Sequence, residues 1–401
     1  MVAVAELESA VRHLASFERA SASDGERRAA QWIAGRMREL GADARVEEEP
    51  AHGTYWWPLG LLCALAGAAG LSGRRGAAFV AGAAAAAGIA DDITGGRQLF
   101  RRRFLPTRTT YNVVAETGDR TAADAVLLVS HHDAAHWGLL FHPAISEKLG
   151  DRFPKALERT NTSPPLMWPV IGGPLLLALG GLVGSRPLRR AGTILSWGSA
   201  LTFAEIGSRW TVPGANDNLT GVATLLDVAR ALRDRPVEGL RVALLSTGSE
   251  ESFMEGMQAF ARRHFAAFPR ERTHVLCVDT VGSPELIQLE GEGMLAMHDY
   301  PPAFKDLLAD VARERGVHLR RGLRLRNATD ALIPLRAGFP VAALCSMDRY
   351  KRPANYHWPT DVPDNVDFST VADAATLCEA VVRRLAADRR GDRRSKTRPA
   401  A

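Results

Sequence analysis

Two long stretches without formal charge constrain the fold of this chain more than any other feature of its sequence. The first covers residues 51–73 and is followed by two arginines and a second uncharged stretch at 76–90. The second covers residues 160–185 and is followed by the basic segment RPLRR and by the apolar residues 191–204. Each unit is an apolar segment, an arginine-bearing turn and another apolar segment, which predicts two inserted apolar helical hairpins.

The length of these segments favours a membrane location. A bilayer core of about 30 Å is crossed by about 20 helical residues, and the first segment of each hairpin reaches that length while the second is shorter. Two hairpins buried against one another in a soluble protein are the alternative. We expect membrane insertion, with the hairpins at 51–91 and 160–208 contacting lipid.

The arginines give two opposing indications of topology. Those in the hairpin turns would place the turns on the cytoplasmic side. Others lie on the opposite side of the first hairpin and would place the main domain there: Arg97, Arg101, Arg102, Arg103 and Arg108. Residues ahead of the first hairpin lack the basic-then-apolar pattern of a signal peptide. We therefore expect a membrane protein whose main domain lies on the cytoplasmic side.

Most of the formal net charge of +5 comes from the end of the chain. Residues 388–401 contain six Arg or Lys and two Asp, which predicts a basic disordered tail. The remainder is close to neutral, so we expect no nucleic-acid partner. The four cysteines have no CxxC spacing, which argues against a disulfide framework and a thiolate zinc site.

Outside the hairpins, apolar runs alternate with amphipathic stretches, as in an α/β protein. The strand candidates are 45–49, 111–116, 125–130, 240–246, 274–279, 285–289, 317–320 and 340–345. The helix candidates are 4–19, 25–40, 219–233, 254–265, 302–315 and 368–387. Because runs such as AVLLVS and RVALLS are apolar throughout, we expect a sheet buried on both faces. The prediction is a three-layer α/β/α sandwich with a mixed, mostly parallel sheet, whose ligands gather at the carboxyl ends of the strands.

Polar residues follow several of these strands or lie in nearby loops. They are His131, Asp133, Asp217, Glu250, Glu251, Asp279 and His357. Each motif is weak alone, since a Glu-Glu pair is usually solvated and Asn-Asp-Asn before a helix is usually an N-cap. Two histidines and several carboxylates at one sheet edge, however, match the ligands of zinc or a similar divalent ion. A shared carboxylate could bridge two ions roughly 3.5–4 Å apart, as in two-metal hydrolysis.

The order of the motifs resembles that of the co-catalytic zinc aminopeptidases of peptidase clan MH, such as aminopeptidase S and aminopeptidase Y. The order is His-x-Asp, Gly-x-x-Asp-Asn-x-Thr-Gly, Glu-Glu, an Asp after an apolar strand, and Tyr-His-x-x-x-Asp. Glutamate carboxypeptidase and glutaminyl cyclase are relatives of that family. The resemblance implies two zinc ions, although the ligand set alone would also admit cobalt or manganese.

The resemblance also implies a role for each residue. His131 and Asp279 would bind one ion, Glu251 and His357 would bind the other, and Asp217 would bridge the two. Glu250 would be the catalytic general base, and Asp133 would orient His131 through its ring N–H. Three residues depart from the family pattern: Trp358 replaces the usual Thr, and Ser252-Phe253 replace the usual Ala-Gly.

The sequence therefore predicts a membrane-associated dinuclear zinc metallopeptidase, an aminopeptidase that acts on peptides. A catalytically inactive membrane scaffold or receptor with the same fold is one alternative, and a glutaminyl-cyclase-like or carboxypeptidase-like amide enzyme is another. The oligomeric state is left open. The predicted peptidase domain comprises 1–50, 108–159 and 209–387. Hairpin insertion 51–107, with its basic connector, and hairpin insertion 160–208 would interrupt it.

Overall fold

The computed structural model describes the backbone of residues 4–397 and the side chains of residues 4–388. Within this part of the chain, nine strands form one mixed sheet. The strands are β1 (Asp43–Ala51), β2 (Arg108–Gly118), β3 (Ala125–His131), β4 (Arg241–Thr247), β5 (Thr273–Val278), β6 (Glu285–Glu292), β7 (His298–Asp299), β8 (Arg320–Leu325) and β9 (Val341–Met347).

The strand order is β1-β2-β4-β3-β5-β9-β6-β7, and β8 pairs with β6. Strands β4, β3, β5 and β9 run parallel and form the centre, where almost every residue is buried. The β1–β2, β2–β4, β6–β9 and β6–β7 pairs are antiparallel. The β6–β8 pair is parallel, so four of the eight pairings are antiparallel, and the prediction of a mostly parallel sheet is wrong. The apolar runs behind that prediction describe only the centre, whereas edge strand β1 alternates between buried and exposed residues, as antiparallel strands commonly do.

Helices cover both faces of the sheet. They are α1 (Val4–Ala15), α2 (Asp24–Glu39), α3 (Trp56–Leu71), α4 (Arg75–Ile93), α5 (Leu99–Phe104), α6 (Pro143–Arg152), α7 (Pro154–Arg159), α8 (Met167–Val183), α9 (Arg186–Gly207), α10 (Thr220–Asp234), α11 (Glu255–His264), α12 (Pro302–Arg315), α13 (Leu332–Arg336) and α14 (Phe368–Thr397). One apolar core lies between the sheet and α1, α2, α10, α12 and α14. The other contains residues of α11, α13, α3, α4, α8 and α9. The chain thus has three layers.

Helices α3, α4, α8 and α9 pack against one another as a four-helix bundle. Glycines permit the close approach of their backbones. A Cβ on Gly82 of α4 would lie 2.7 Å from the backbone nitrogen of Ala178, and one on Gly192 of α9 would lie 2.8 Å from the backbone oxygen of Gly173. Small residues at helix contacts allow this kind of packing in membranes, where close van der Waals contact is a main source of association.

Among the described helices, α4 alone is long and apolar enough to cross a membrane, judged by length and composition. Helices α3 and α8 are apolar but shorter. Helix α9 carries three arginines in its first turns, which lowers its mean hydropathy. The helices of the bundle therefore do not match two hairpins that each span a bilayer, and membrane insertion stays a prediction.

The last helix differs from the sequence prediction of a disordered tail at 388–401. Helix α14 continues to Thr397, because the segment consists largely of residues that helices tolerate, with arginine among the better helix formers. Residues 398–401 lie outside the described part of the chain.

Candidate metal centre

The central parallel strands bring most of the candidate residues to one edge of the sheet. His131 is the last residue of β3, and Asp279 directly follows β5. Glu250 and Glu251 lie in the loop between β4 and α11. Because these strands are parallel neighbours, the side chains that follow them meet at their shared carboxyl end.

Asp217 lies between the two histidines. Its Oδ1 is 3.2 Å from Nε2 of His131, and its Oδ2 is 3.3 Å from Nε2 of His357. The same Nε2 of His357 lies 3.1 Å from Oε2 of Glu251. The two oxygens of one carboxylate thus face two different sets of nitrogen and oxygen atoms.

These contacts form two groups that share Asp217. In the first, ligand atoms of His131, Asp217 and Asp279 lie within 4.8 Å of one another, and in the second the same holds for Asp217, Glu251 and His357. All five side chains are buried. The structure therefore brings together every residue that the sequence analysis assigned to metal binding.

Glu250 lies beside both groups. Its Oε2 is 4.0 Å from Nε2 of His131, and its side chain is 11% exposed, slightly more than the buried side chains around it. Burial raises the pKa of Glu250 well above its ordinary value. The charge of His131 lowers this pKa, whereas nearby carboxylates, Asp330 first among them, raise it further. A general base works best when its pKa lies near the operating pH, so a raised pKa is the direction expected of a glutamate that accepts and releases a proton.

Asp133 is completely buried and has more partners than the sequence predicts. Its Oδ1 lies 3.3 Å from Nδ1 of His131, as expected for a residue that orients this ring. It also accepts hydrogen bonds from the hydroxyl of Ser21 at 2.6 Å and from the backbone N–H groups of Glu250 and Glu251, each at 3.1 Å. Asp133 therefore holds both the histidine and the loop of the two glutamates.

The donor atoms at this edge fit divalent cations. Several buried carboxylates converge on two histidines. The pKa of Asp279 is raised to about 7, and burial is the largest of the causes. Oδ2 of Asp217 and Oε1 of Glu251 are buried without a hydrogen-bond partner. Such buried oxygens cost free energy unless a donor or a cation compensates them. Imidazole nitrogens and carboxylate oxygens are the ligands that zinc, cobalt and manganese accept.

Three supporting residues were missed by the sequence analysis. Asp361 accepts the backbone N–H groups of Asn216 and Asp217. Arg19, fully buried, donates to the backbone oxygens of residues 132, 213 and 214. Glu26 accepts the backbone N–H and the hydroxyl of Ser249. Of these, Asp361 had a sequence signal, because it closes the Tyr-His-x-x-x-Asp motif.

Aromatic side chains surround His357. The ring of Tyr356 stacks on it with centroids 3.9 Å apart, and the ring of Phe141 meets it edge-on at 4.6 Å. Trp358, one of the residues that depart from the family pattern, lies 5.5 Å from Trp137 in a T-shaped arrangement. The surface beside the second group of ligands is therefore apolar and aromatic.

A family model matches the part of the chain that carries most of these residues. Residues 200–382 match peptidase family M28. The match includes Asp217, Glu250, Glu251, Asp279 and His357, while His131 lies ahead of it. The comparison with curated proteins found no match to this sequence.

Solved structures of aminopeptidases and glutaminyl cyclases resemble this chain in fold. An aminopeptidase from Aneurinibacillus sp. strain AM-1 is 14% identical, with a TM-score of 0.56 over 95% of this chain and 93% of its own. The zinc aminopeptidase BSAP from Bacillus subtilis is 15% identical, with a TM-score of 0.56 over 95% and 94%. A glutaminyl cyclase from Porphyromonas gingivalis is 14% identical, with a TM-score of 0.55 over 97% and 98%. At these identities, the likeness concerns the fold.

Proposed function

We propose that this protein is an aminopeptidase that holds two zinc ions and hydrolyses N-terminal peptide bonds. The observation that carries the proposal is the position of Asp217, whose two carboxylate oxygens face His131 and His357 separately. A carboxylate shared by two ligand groups is the arrangement needed to hold two ions side by side. The M28 match and the zinc aminopeptidase fold support the same conclusion.

The ligand groups assign each residue a task. His131 and Asp279 would hold one ion, Glu251 and His357 the other, and Asp217 both. Two divalent cations in such a site supply Lewis-acid charge, which acidifies water and polarises a carbonyl group. Glu250 accepts a proton from the attacking water at its carboxylate and delivers it to the leaving amine. Asp133 keeps His131 and the backbone of Glu250 in place during these transfers.

Membrane association is supported by the outer surface of the bundle. Large apolar side chains are exposed there, including Leu61, Leu65, Val80, Leu179, Ile194 and Leu201. An apolar surface of this kind on a water-soluble monomer would be unusual. We propose that the bundle is embedded in lipid, with the peptidase domain on the cytoplasmic side. Carbonate extraction of membranes from expressing cells tests this, because release of the full chain into the supernatant would contradict embedding.

The bundle would place the metal centre close to the membrane surface. Tyr55, just ahead of α3, packs its ring 5.3 Å from that of Phe253, two residues after Glu251. Exposed Arg97, Arg102 and Arg103 lie near the end of α4. Arg101, which the sequence analysis grouped with them, is fully buried and so adds no free positive charge to this region.

The decisive experiment combines metal analysis of the purified full-length protein with a panel of peptides. We expect two zinc ions per chain and cleavage of peptides with a free N-terminus, whatever group caps their C-terminus. Equal cleavage of N-blocked peptides would contradict the aminopeptidase assignment. Absence of both metal and hydrolysis would favour the inactive scaffold.

Glutaminyl cyclisation is the second candidate. It is favoured by the aromatic residues beside His357 and by the similar fold of two glutaminyl cyclases. The same panel tests it if it contains a peptide with N-terminal glutamine. Loss of ammonia without chain cleavage would replace the aminopeptidase proposal by the cyclase.

A further inference from the structure

The loop that carries Glu250 and Glu251 has an unfavourable backbone conformation. Ser249 (φ 51°), Phe253 (φ 70°) and Met254 (φ 58°) all lie in the left-handed region. This region is disfavoured for residues that have a Cβ, and such residues persist where the surrounding structure holds them. The position of the two glutamates therefore depends on the groups that hold residues 249–254.

Two of these groups belong to the peptidase domain. Glu26 of α2 accepts the backbone N–H and hydroxyl of Ser249 at 3.0 and 2.9 Å. Asp133, after β3, accepts the N–H groups of Glu250 and Glu251. The first half of the loop is thus held by two buried carboxylates.

The second half is held from the inserted segment. Nη1 of Arg101, in α5, donates to the backbone oxygen of Ser252 at 2.8 Å. The side chain of Arg101 is 0% exposed, and its charge is paired with Asp92 at the end of α4 and with Glu255, whose Oε1 lies 3.3 Å from Nη1. A buried guanidinium is stable only when its charge and N–H groups have such partners.

Glu255 joins this network to the start of the bundle. It accepts the hydroxyl of Ser252 at 2.7 Å and the backbone N–H groups of His52 and Gly53, each at 3.0 Å. His52 and Gly53 immediately precede the residues that lead into α3. The two chain segments that connect the first hairpin to the sheet, one before α3 and one after α4, therefore meet at the loop of the glutamates.

We propose that Arg101 is a positioning residue through which the four-helix bundle holds Glu250 and Glu251 in their catalytic geometry. The inference rests on the proposed peptidase function. It assigns the bundle a second role. Arg101, in the segment that follows α4, also fixes the backbone of Ser252, one residue beyond the metal ligand Glu251. Changes in the packing of α4 would then reach the proton-accepting glutamate through Asp92, Arg101 and Ser252.

The test compares Arg101→Gln with Arg103→Gln in the full-length protein purified in detergent. Arg103 lies on the same short helix and is exposed. We expect Arg101→Gln to lower kcat by about 10²-fold, since small displacements of catalytic groups have effects of this size, while KM changes less than about twofold. Arg103→Gln should match the wild type. Arg101→Lys, which keeps a donor and the charge, should recover part of the lost kcat.

Hydrogen exchange provides a readout that does not depend on turnover. The N–H groups of Met254 and Glu255 bond to the oxygens of Glu250 and Ser249, so their exchange reports on the closed loop. We expect faster exchange in Arg101→Gln at these amides and unchanged exchange in the central strands. Wild-type exchange and wild-type kcat in this variant would overturn the proposal.

The outcomes separate this inference from the proposed function. If the wild type hydrolyses no peptide, the function fails, while the exchange experiment still tests whether Arg101 holds the loop. If Arg101→Gln does not fold, Arg101→Lys and Asp92→Asn take its place. We expect both variants to fold and to show faster hydrogen exchange at the amides of Met254 and Glu255. Wild-type exchange in both variants would contradict the proposal.

Discussion

Oδ2 of Asp361 accepts the backbone N–H of Asp217 at 3.1 Å, so one buried carboxylate fixes the loop that carries another. Oδ1 of Asp361 accepts the neighbouring N–H of Asn216 at 2.7 Å. Asp217 can place its two oxygens toward two histidines only if its backbone is held still. Asp361 therefore supports the metal centre by holding the backbone of Asp217, and not by contacting either histidine.

Replacing Asp361 by alanine should weaken both stability and metal binding. The variant leaves two buried N–H groups without acceptors, and each such loss costs about 1–3 kcal/mol. We expect a lower Tm and a loss of metal affinity of about 10–100-fold, as for other residues that orient ligands. Asp364→Ala is the matched control, since this exposed residue pairs with Arg12 at the surface. Equal metal affinity in the two variants would contradict the role of Asp361.

Replacing Glu250 by glutamine should abolish most hydrolysis without loss of metal. Glutamine keeps the size of the side chain but cannot accept the proton, so kcat should fall by about 10²–10⁴-fold. Metal analysis should still find the wild-type stoichiometry. Glu48→Gln, on an exposed position of β1, should change neither quantity. Unchanged turnover in Glu250→Gln would remove this residue from the mechanism.

The shared position of Asp217 predicts a difference between ligand variants. His131→Ala and His357→Ala each remove a ligand from one group, whereas Asp217→Ala removes one from both. We therefore expect each histidine variant to retain about one tightly bound ion and the Asp217 variant to retain neither. Titration with a chelator, followed by metal analysis, measures this. Full stoichiometry in Asp217→Ala would mean that the carboxylate does not bridge the groups.

The central strands and their polar ends could be predicted because the information is local. The apolar residues of β3 lead directly to His131, the last residue of that strand, and β5 is followed at once by Asp279. Strand β8 shows the limit, since it was expected at 317–320 and lies at Arg320–Leu325. It carries three arginines and is held by ion pairs that include Arg320 with Glu285 and Arg324 with Asp299. Those partners are distant in sequence, so the apolar pattern could not reveal the strand.

The residues that hold the site in place could not be predicted from the sequence for the same reason. Glu26 and Ser249 are 223 positions apart, and Arg101 and Ser252 are 151 apart. A glutamate in an amphipathic helix and an arginine in a basic run are typical of solvated surfaces. Only the fold shows that these two side chains are buried beside one loop.

Two glycines of α9 should respond in opposite ways to the same substitution. A Cβ on Gly192 would lie 2.8 Å from both the backbone oxygen of Gly173 and the Cα of Leu177, whereas a Cβ on Gly198 would have no atom within 4 Å. Gly192→Ala must therefore push α9 away from α8, at a cost of about 1–3 kcal/mol. Gly198→Ala should be neutral or stabilise the helix by up to about 1 kcal/mol, because alanine is the better helix former. Thermal unfolding of both variants in the same detergent measures the difference, and an equal Tm would show that α8 and α9 are not in close contact.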